Sequence, residues 1–175
     1  MPIDPARAFR PVRIAILTVS DTRGPAEDRS GDTLVERLTA AGHILADRAL
    51  LKDDLEGIVA KLENWIADPQ VDCVITTGGT GLTGRDLMPE AMQRVGEKDI
   101  PGFGELFRWL SYQTIGTSTV QSRACAVVSR GTYLFALPGS TGAVKDGWDG
   151  ILSLQLDSRH TPCNFVELMP RLRES

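Results

Sequence analysis

Residues 71–91, VDCVITTGGTGLTGRDLMPEA, carry the strongest structural signal in the chain. Val71 to Thr77 is a short apolar, β-branched run, the mark of a strand buried on both faces. Gly78, Gly79, Gly81 and Gly84 follow, with the hydroxyls of Thr80 and Thr83 between them. A helix is expected to begin near Leu87, with Pro89 in its first turn, where a missing N–H costs nothing. Strand, glycine-rich loop and helix start in that order present backbone N–H groups to an anionic ligand. Arg85 and Asp86 stand at the junction, where a carboxylate can cap the helix or hold a metal that bridges phosphates. Two familiar nucleotide motifs fail here. Gly79, Gly81 and Gly84 fit GxGxxG, but the loop is mid-chain and lacks the acid that ends the next strand of a dinucleotide fold. A P-loop needs Lys and then Ser or Thr after its last glycine, where this chain has Arg85 and Asp86.

Upstream, Arg13 to Ser20 reads as the first strand, ending in the polar run Ser20, Asp21, Thr22, Arg23. A helix starting near Ser30 to Asp32 carries Leu34, Val35, Leu38 and Ala41 on one face and closes at Gly42. His43 to Leu51 is a second strand, interrupted by Asp47 and Arg48. Asp53 and Asp54 open the next helix, whose face is Leu55, Ile58, Val59, Leu62, Trp65 and Ile66, and one of the two caps it. Three rounds of strand and helix predict a parallel sheet covered on both faces. In such a sheet ligands bind beyond the strand C-termini, so Ser20–Asp21, Asp53 and the loop at Gly78 should meet at one edge, with Asp86 beside them.

Downstream, residues 100–104 (IPGFG) read as a turn before a helix reaching about Ile115. Phe103, Leu106, Phe107 and Leu110 form one face of that helix and Trp109, Tyr112 and Gly116 another, which points to an oligomer interface. Ala124–Ser129 and Thr132–Leu137 are separated by two residues, too few for a parallel crossover, so they form a β-hairpin. A small-residue loop, Leu137 to Gly142, leads into a helix with Val144, Trp148, Ile151 and Leu152 on its apolar face. Lys145 sits in its first turn, an unfavourable place for a cation unless an anion lies near. A short helix between Arg159 and Leu172 closes the fold.

The expected organisation is an arm over residues 1–12, mobile or packed on a neighbour, and one domain over 13–172. The 175 residues contain 19 Lys and Arg against 23 Asp and Glu, a net charge of −4 that argues against nucleic-acid or anionic-membrane partners. No apolar run is long enough to span a bilayer. Cys73, Cys125 and Cys163 are odd in number and far apart, which suits a reduced cytoplasm, and two histidines, His43 and His160, make no zinc cluster. Any metal should be Mg²⁺, held by carboxylates and substrate phosphates.

These motifs together resemble the molybdenum cofactor biosynthesis family that includes molybdopterin adenylyltransferase. The resemblance lies in TTGGTGLTGRDLMPEA at 76–91, PGFGE at 101–105, Ser122–Arg123 and LPGS at 137–140. It extends to Ser20–Asp21 with Asp28, Ser30 and Gly31, and to Asp53, covering about Arg13 to Leu156. It implies a three-layer α/β/α domain with a mostly parallel sheet, one antiparallel hairpin strand, and assembly as a trimer or a dimer of trimers. It also implies that molybdopterin and ATP are substrates, with AMP transferred and pyrophosphate released. Asp53 and Asp86 then match the functional, Mg²⁺-holding carboxylates, and Gly78, Gly79, Thr80 and Gly81 the pterin-phosphate loop, with Thr76 at its base. Ser20, Asp21, Pro101, Gly102, Glu105, Ser122, Pro138, Gly139 and Ser140 fall in further binding segments. Arg85, Arg123 and Lys145 are the cations available to two approaching anions. The competing expectation is a non-catalytic molybdopterin-binding or scaffold protein.

Overall fold

The structure, a computed structural model, describes residues 3–22 and 24–174; Arg23, at the end of the first polar run, lies outside them. Strand and helix alternate as β1 (Arg13–Val19), α1 (Arg29–Ala40), β2 (Ile44–Leu51), α2 (Leu55–Ala67), β3 (Cys73–Thr77) and α3 (Met88–Val95). Then come β4 (Lys98–Asp99), α4 (Pro101–Ile115), β5 (Cys125–Ser129), β6 (Thr132–Leu137) and α5 (Thr141–Gly147). A π-helical stretch, Trp148–Leu152, carries α5 into α6 (Ser153–Gln155), and α7 (Phe165–Leu168) lies near the C-terminus.

The strand order is β2-β1-β3-β6-β5-β4. The first four run parallel; β5 is antiparallel to β6 and β4 to β5. The hairpin turn follows from two left-handed residues, Arg130 at φ 47° and Gly131 at φ 87°, whose twist matches that of the flanking strands. On one face of the sheet Leu34, Leu38, Phe103, Phe107, Val144 and Trp148 pack under α1, α4 and α5. On the other, Ile58, Leu62, Trp65, Met88 and Met92 pack under α2 and α3. The domain is therefore the three-layer α/β/α sandwich, its central strands β1, β3 and β6 buried on both faces.

Local chemistry explains the element ends. Asp28 caps α1 by accepting from Gly31 N–H at 2.9 Å, and Gly42 follows α1 at φ 87°, as a helix C-terminus favours. The interrupted strand β2 is the sheet edge. Its Asp47 bonds Lys61 Nζ and Trp65 Nε1 on α2, while Arg48 reaches Asp28 and Asp32 at the start of α1. The charges that weaken the strand in the sequence thus tie its two flanking helices to the edge.

Several expectations are corrected. Residues 101–104 are no turn but the first turn of α4, because Pro101 has its φ set for a helix and no N–H to leave unpaired. Leu106 is 41% exposed, like Trp109 and Tyr112, and is not buried with Phe103 and Phe107. Ala41 lies just past α1 and is exposed, since the chain already turns there. β4 adds a second antiparallel strand with no apolar run to announce it. The described part of the arm, residues 3–12, makes contacts within its own chain. Ile3 bridges His160, Ser158 Oγ donates to Ala8 O and accepts from Arg10 N–H, and Val12 is buried.

Candidate functional site

β1, β3 and β6 end side by side, and their outgoing loops enclose a cavity of about 520 Å³. Gly78 makes the close approach possible: at φ 102°, a Cβ there would lie 2.1 Å from the carbonyl oxygen of Val19. Its N–H donates to Leu137 O at 3.0 Å, and Thr77 Oγ1 to Pro138 O at 3.0 Å, so the glycine loop is hung from β6. The floor of the cavity is Gly78–Gly81. Its walls are Ser20 and Asp21 after β1, Asp53 before α2, Arg85 and Asp86 before α3, Ser122, and Pro138–Ser140 before α5. The cradle of free donors is narrower than the glycine run. Gly78 N–H is taken by Leu137 and Gly81 N–H by the Asp86 carboxylate, which among the described residues leaves the N–H groups of Gly79 and Thr80.

Both acids back onto this loop. A Cβ at Gly79 would stand 3.1 Å from Asp53 Oδ1, and one at Gly81 2.8 Å from Asp86 Oδ2. Asp54, not Asp53, caps α2, accepting from Gly57 N–H at 2.7 Å, so Asp53 is left on the cavity. Burial, then the neighbouring Asp21 and Asp86 carboxylates, raises the Asp53 pKa above the usual range. Asp86 does not cap α3, whose N-cap is Leu87. Burial pushes its carboxyl upward too, but bonds from Thr83 Oγ1 (2.6 Å), Thr83 N–H (2.9 Å) and Gly81 N–H outweigh it and leave the pKa lowered. Asp21 is lowered chiefly by Arg85, whose Nε and Nη2 grip it at 2.8 and 2.7 Å. The Asp21 carboxylate also accepts from Asp53 N–H at 3.2 Å, tying the first loop to the start of α2.

Other sequence candidates lie elsewhere. Thr76 is fully buried beneath the cavity, its Oγ1 without a partner among the described residues. Pro101 and Glu105 line a separate hollow of about 260 Å³ beside Asp99 and Arg108, and Gly102 is exposed at the same end of α4. Lys145 is exposed on α5 and not on the cavity. Arg123 turns its guanidinium to the outer side of the glycine loop, onto Gly81 O, Asp86 O and Glu90. Of the three expected cations, Arg85 alone among the described residues lines the cavity. Conversely, Phe107, Ser111 and Ile115 form a wall that motif reading missed. Their i, i+4, i+8 spacing puts them on one face, and a buried serine between two apolar residues was the available signal.

Comparison with known proteins agrees with this architecture. Residues 15–158 match the profile of a family described as "Probable molybdopterin binding domain". The chain belongs to this family. Among curated relatives of this molybdopterin-binding family, molybdenum cofactor biosynthesis protein B of Escherichia coli (strain K12) is 49% identical over 157 residues, 90% of this chain and 92% of its own. The Bacillus subtilis (strain 168) protein of the same name is 42% identical over 135 residues, 77% of this chain and 79% of its own. A crystal structure of a molybdenum cofactor biosynthesis protein B superposes with a TM-score of 0.86 at 36% identity, over 97% of this chain and 100% of the other. The tungsten cofactor synthesizing protein MoaB from Pyrococcus furiosus gives 0.79 at 34% identity, over 95% and 100%. The two solved structures share the overall fold as well as sequence.

Proposed function

We propose that the chain binds molybdopterin and transfers AMP to it from ATP, releasing pyrophosphate. The observation carrying this reading is the position of Asp53 and Asp86 against one glycine loop, both lining the cavity at the sheet edge. The N–H groups of Gly79 and Thr80 and the first turn of α5 beside Ser140 face the same cavity and suit a phosphate. Held there, the terminal phosphate of molybdopterin is already ionised at neutral pH and can attack the α-phosphorus of ATP without a general base. Asp53 and Asp86 are hard oxygen donors in a site with more acid than base, which fits Mg²⁺. No group of three or more His, Cys, Asp or Glu that could hold a metal occurs among the described residues, so substrate phosphates must complete the shell. Bound there, Mg²⁺ would offset charge developing on the pyrophosphate leaving group. Arg85 can exchange Asp21 for a phosphate oxygen. The exposed stripe on α4 is our proposed self-association face, giving a homo-oligomer.

Purified protein with molybdopterin, ATP and Mg²⁺ should release pyrophosphate. Asp53→Asn and Asp86→Asn should each lower kcat by about 100-fold or more while molybdopterin still binds. Normal turnover in both variants would remove the metal-holding role. One observation favours a second reading, a pterin-binding protein without transfer: Arg123 and Lys145 offer no charge to the cavity, although two anions must meet there. Bound molybdopterin without ATP-dependent pyrophosphate release would establish it.

A further inference from the structure

The loop from Gly81 to Asp86 has little apolar anchorage: Leu82 is 67% exposed, and a Cβ at Gly84 would meet nothing within 4 Å. Its shape depends on polar contacts, and Arg123 supplies those on its outer side. Arg123 N–H donates to Thr80 O at 2.9 Å, Nε to Gly81 O at 2.7 Å and Nη2 to Asp86 O at 2.7 Å. The same guanidinium pairs with Glu90 on α3 through Nη1 and Nη2. One planar group therefore bridges both ends of the loop, and a carboxylate on the following helix sets its plane. On the inner side the loop folds around the Asp86 carboxylate, which accepts from Thr83 Oγ1 and N–H.

We infer that Arg123 and Glu90 are a positioning pair that holds loop 81–86 closed and thereby aims the Asp86 carboxylate into the cavity. This rests on the adenylyl-transfer reading above for its kinetic consequence, but not for its structural one. A lysine keeps the charge yet cannot reach two carbonyls and a carboxylate in one plane. The hydrogen bond from Arg123 also holds the Glu90 carboxyl below its usual pKa.

The test combines hydrogen exchange with kinetics on Arg123→Lys and Glu90→Gln, after thermal melting has established that each variant folds. Arg123→Lys should speed amide exchange in the peptide covering 80–87 and leave β1 and α2 unchanged. It should lower kcat about 30-fold with the molybdopterin dissociation constant within about threefold of wild type, and raise the Mg²⁺ concentration needed for half-maximal rate. Glu90→Gln should move the same quantities in the same direction, about fivefold. In an Asp86→Asn background, Arg123→Lys should cost less than about threefold more, because it acts through Asp86. Unchanged exchange at 80–87, a full additive loss in the double variant, or weaker molybdopterin binding at unchanged kcat would each overturn the inference. If wild-type protein releases no pyrophosphate, the transfer reading fails, and the exchange measurement alone decides whether the pair holds the loop.

Discussion

At the scale of single residues, the glycines of the loop are not equivalent. Gly78 sits at φ 102° with the Val19 carbonyl oxygen where its Cβ would go, and that oxygen belongs to the backbone at the end of central strand β1. It cannot retreat cheaply. Gly78→Ala should cost about 3 kcal/mol by denaturant titration, from left-handed strain and displacement of β1 together. Gly84 has ordinary φ and open space around it, so Gly84→Ala should change stability by less than about 0.5 kcal/mol in the same experiment. Both glycines occur in one motif and look alike as letters. The acids divide similarly: Asp53 and Asp54 are adjacent, yet one caps a helix and the other faces the cavity.

Among the elements, the N-terminal arm and α4 are those whose roles changed most in three dimensions. The arm is held by His43, which is 6% exposed between the rings of Phe9 and Trp148 and accepts from Val12 N–H through Nδ1 at 3.2 Å. Only a neutral imidazole can accept there. Burial lowers the His43 pKa below 6.5, opposed by Asp157, whose own charge is shared with Arg159. The unfolded chain therefore takes up the proton first as pH falls. The contribution of His43 is fully present above pH 6.5 and is lost as pH drops below that value through the folded pKa. Urea midpoints measured from pH 7 to pH 5 should fall in the wild type, and fall less in His43→Phe. On α4, Phe107 faces both the core and the cavity wall and is 1% exposed. Phe107→Ala should cost about 3–5 kcal/mol in urea and widen the cavity at the same time.

For the molecule as a whole, Leu106, Trp109 and Tyr112 of α4, with Ile115 at its cavity end, are the largest group of exposed apolar side chains on one element among the described residues. A solvated helix rarely carries this, and the proposal that it mediates self-association has a direct check. Sedimentation should give a homo-oligomer for the wild type, and Trp109→Glu with Tyr112→Glu should give a monomer. A wild-type monomer at micromolar concentration would discard the interface. The order of elements apart from β4, the parallel strands, the hairpin and the meeting of Ser20, Asp53, Gly78 and Asp86 at one edge were legible in the residues alone. Hydrophobic periodicity and turn chemistry are local properties, and parallel strands have their C-termini at the same edge by construction. What tertiary structure alone decided is where each side chain points once the loops close. Arg123 backs the glycine loop instead of lining the cavity, and Lys145 turns outward. Ser111, 25 residues beyond Asp86 in the chain, lines the same cavity. Such choices depend on which backbone acceptors and which void lie within a few ångströms, and residues distant along the chain supply both.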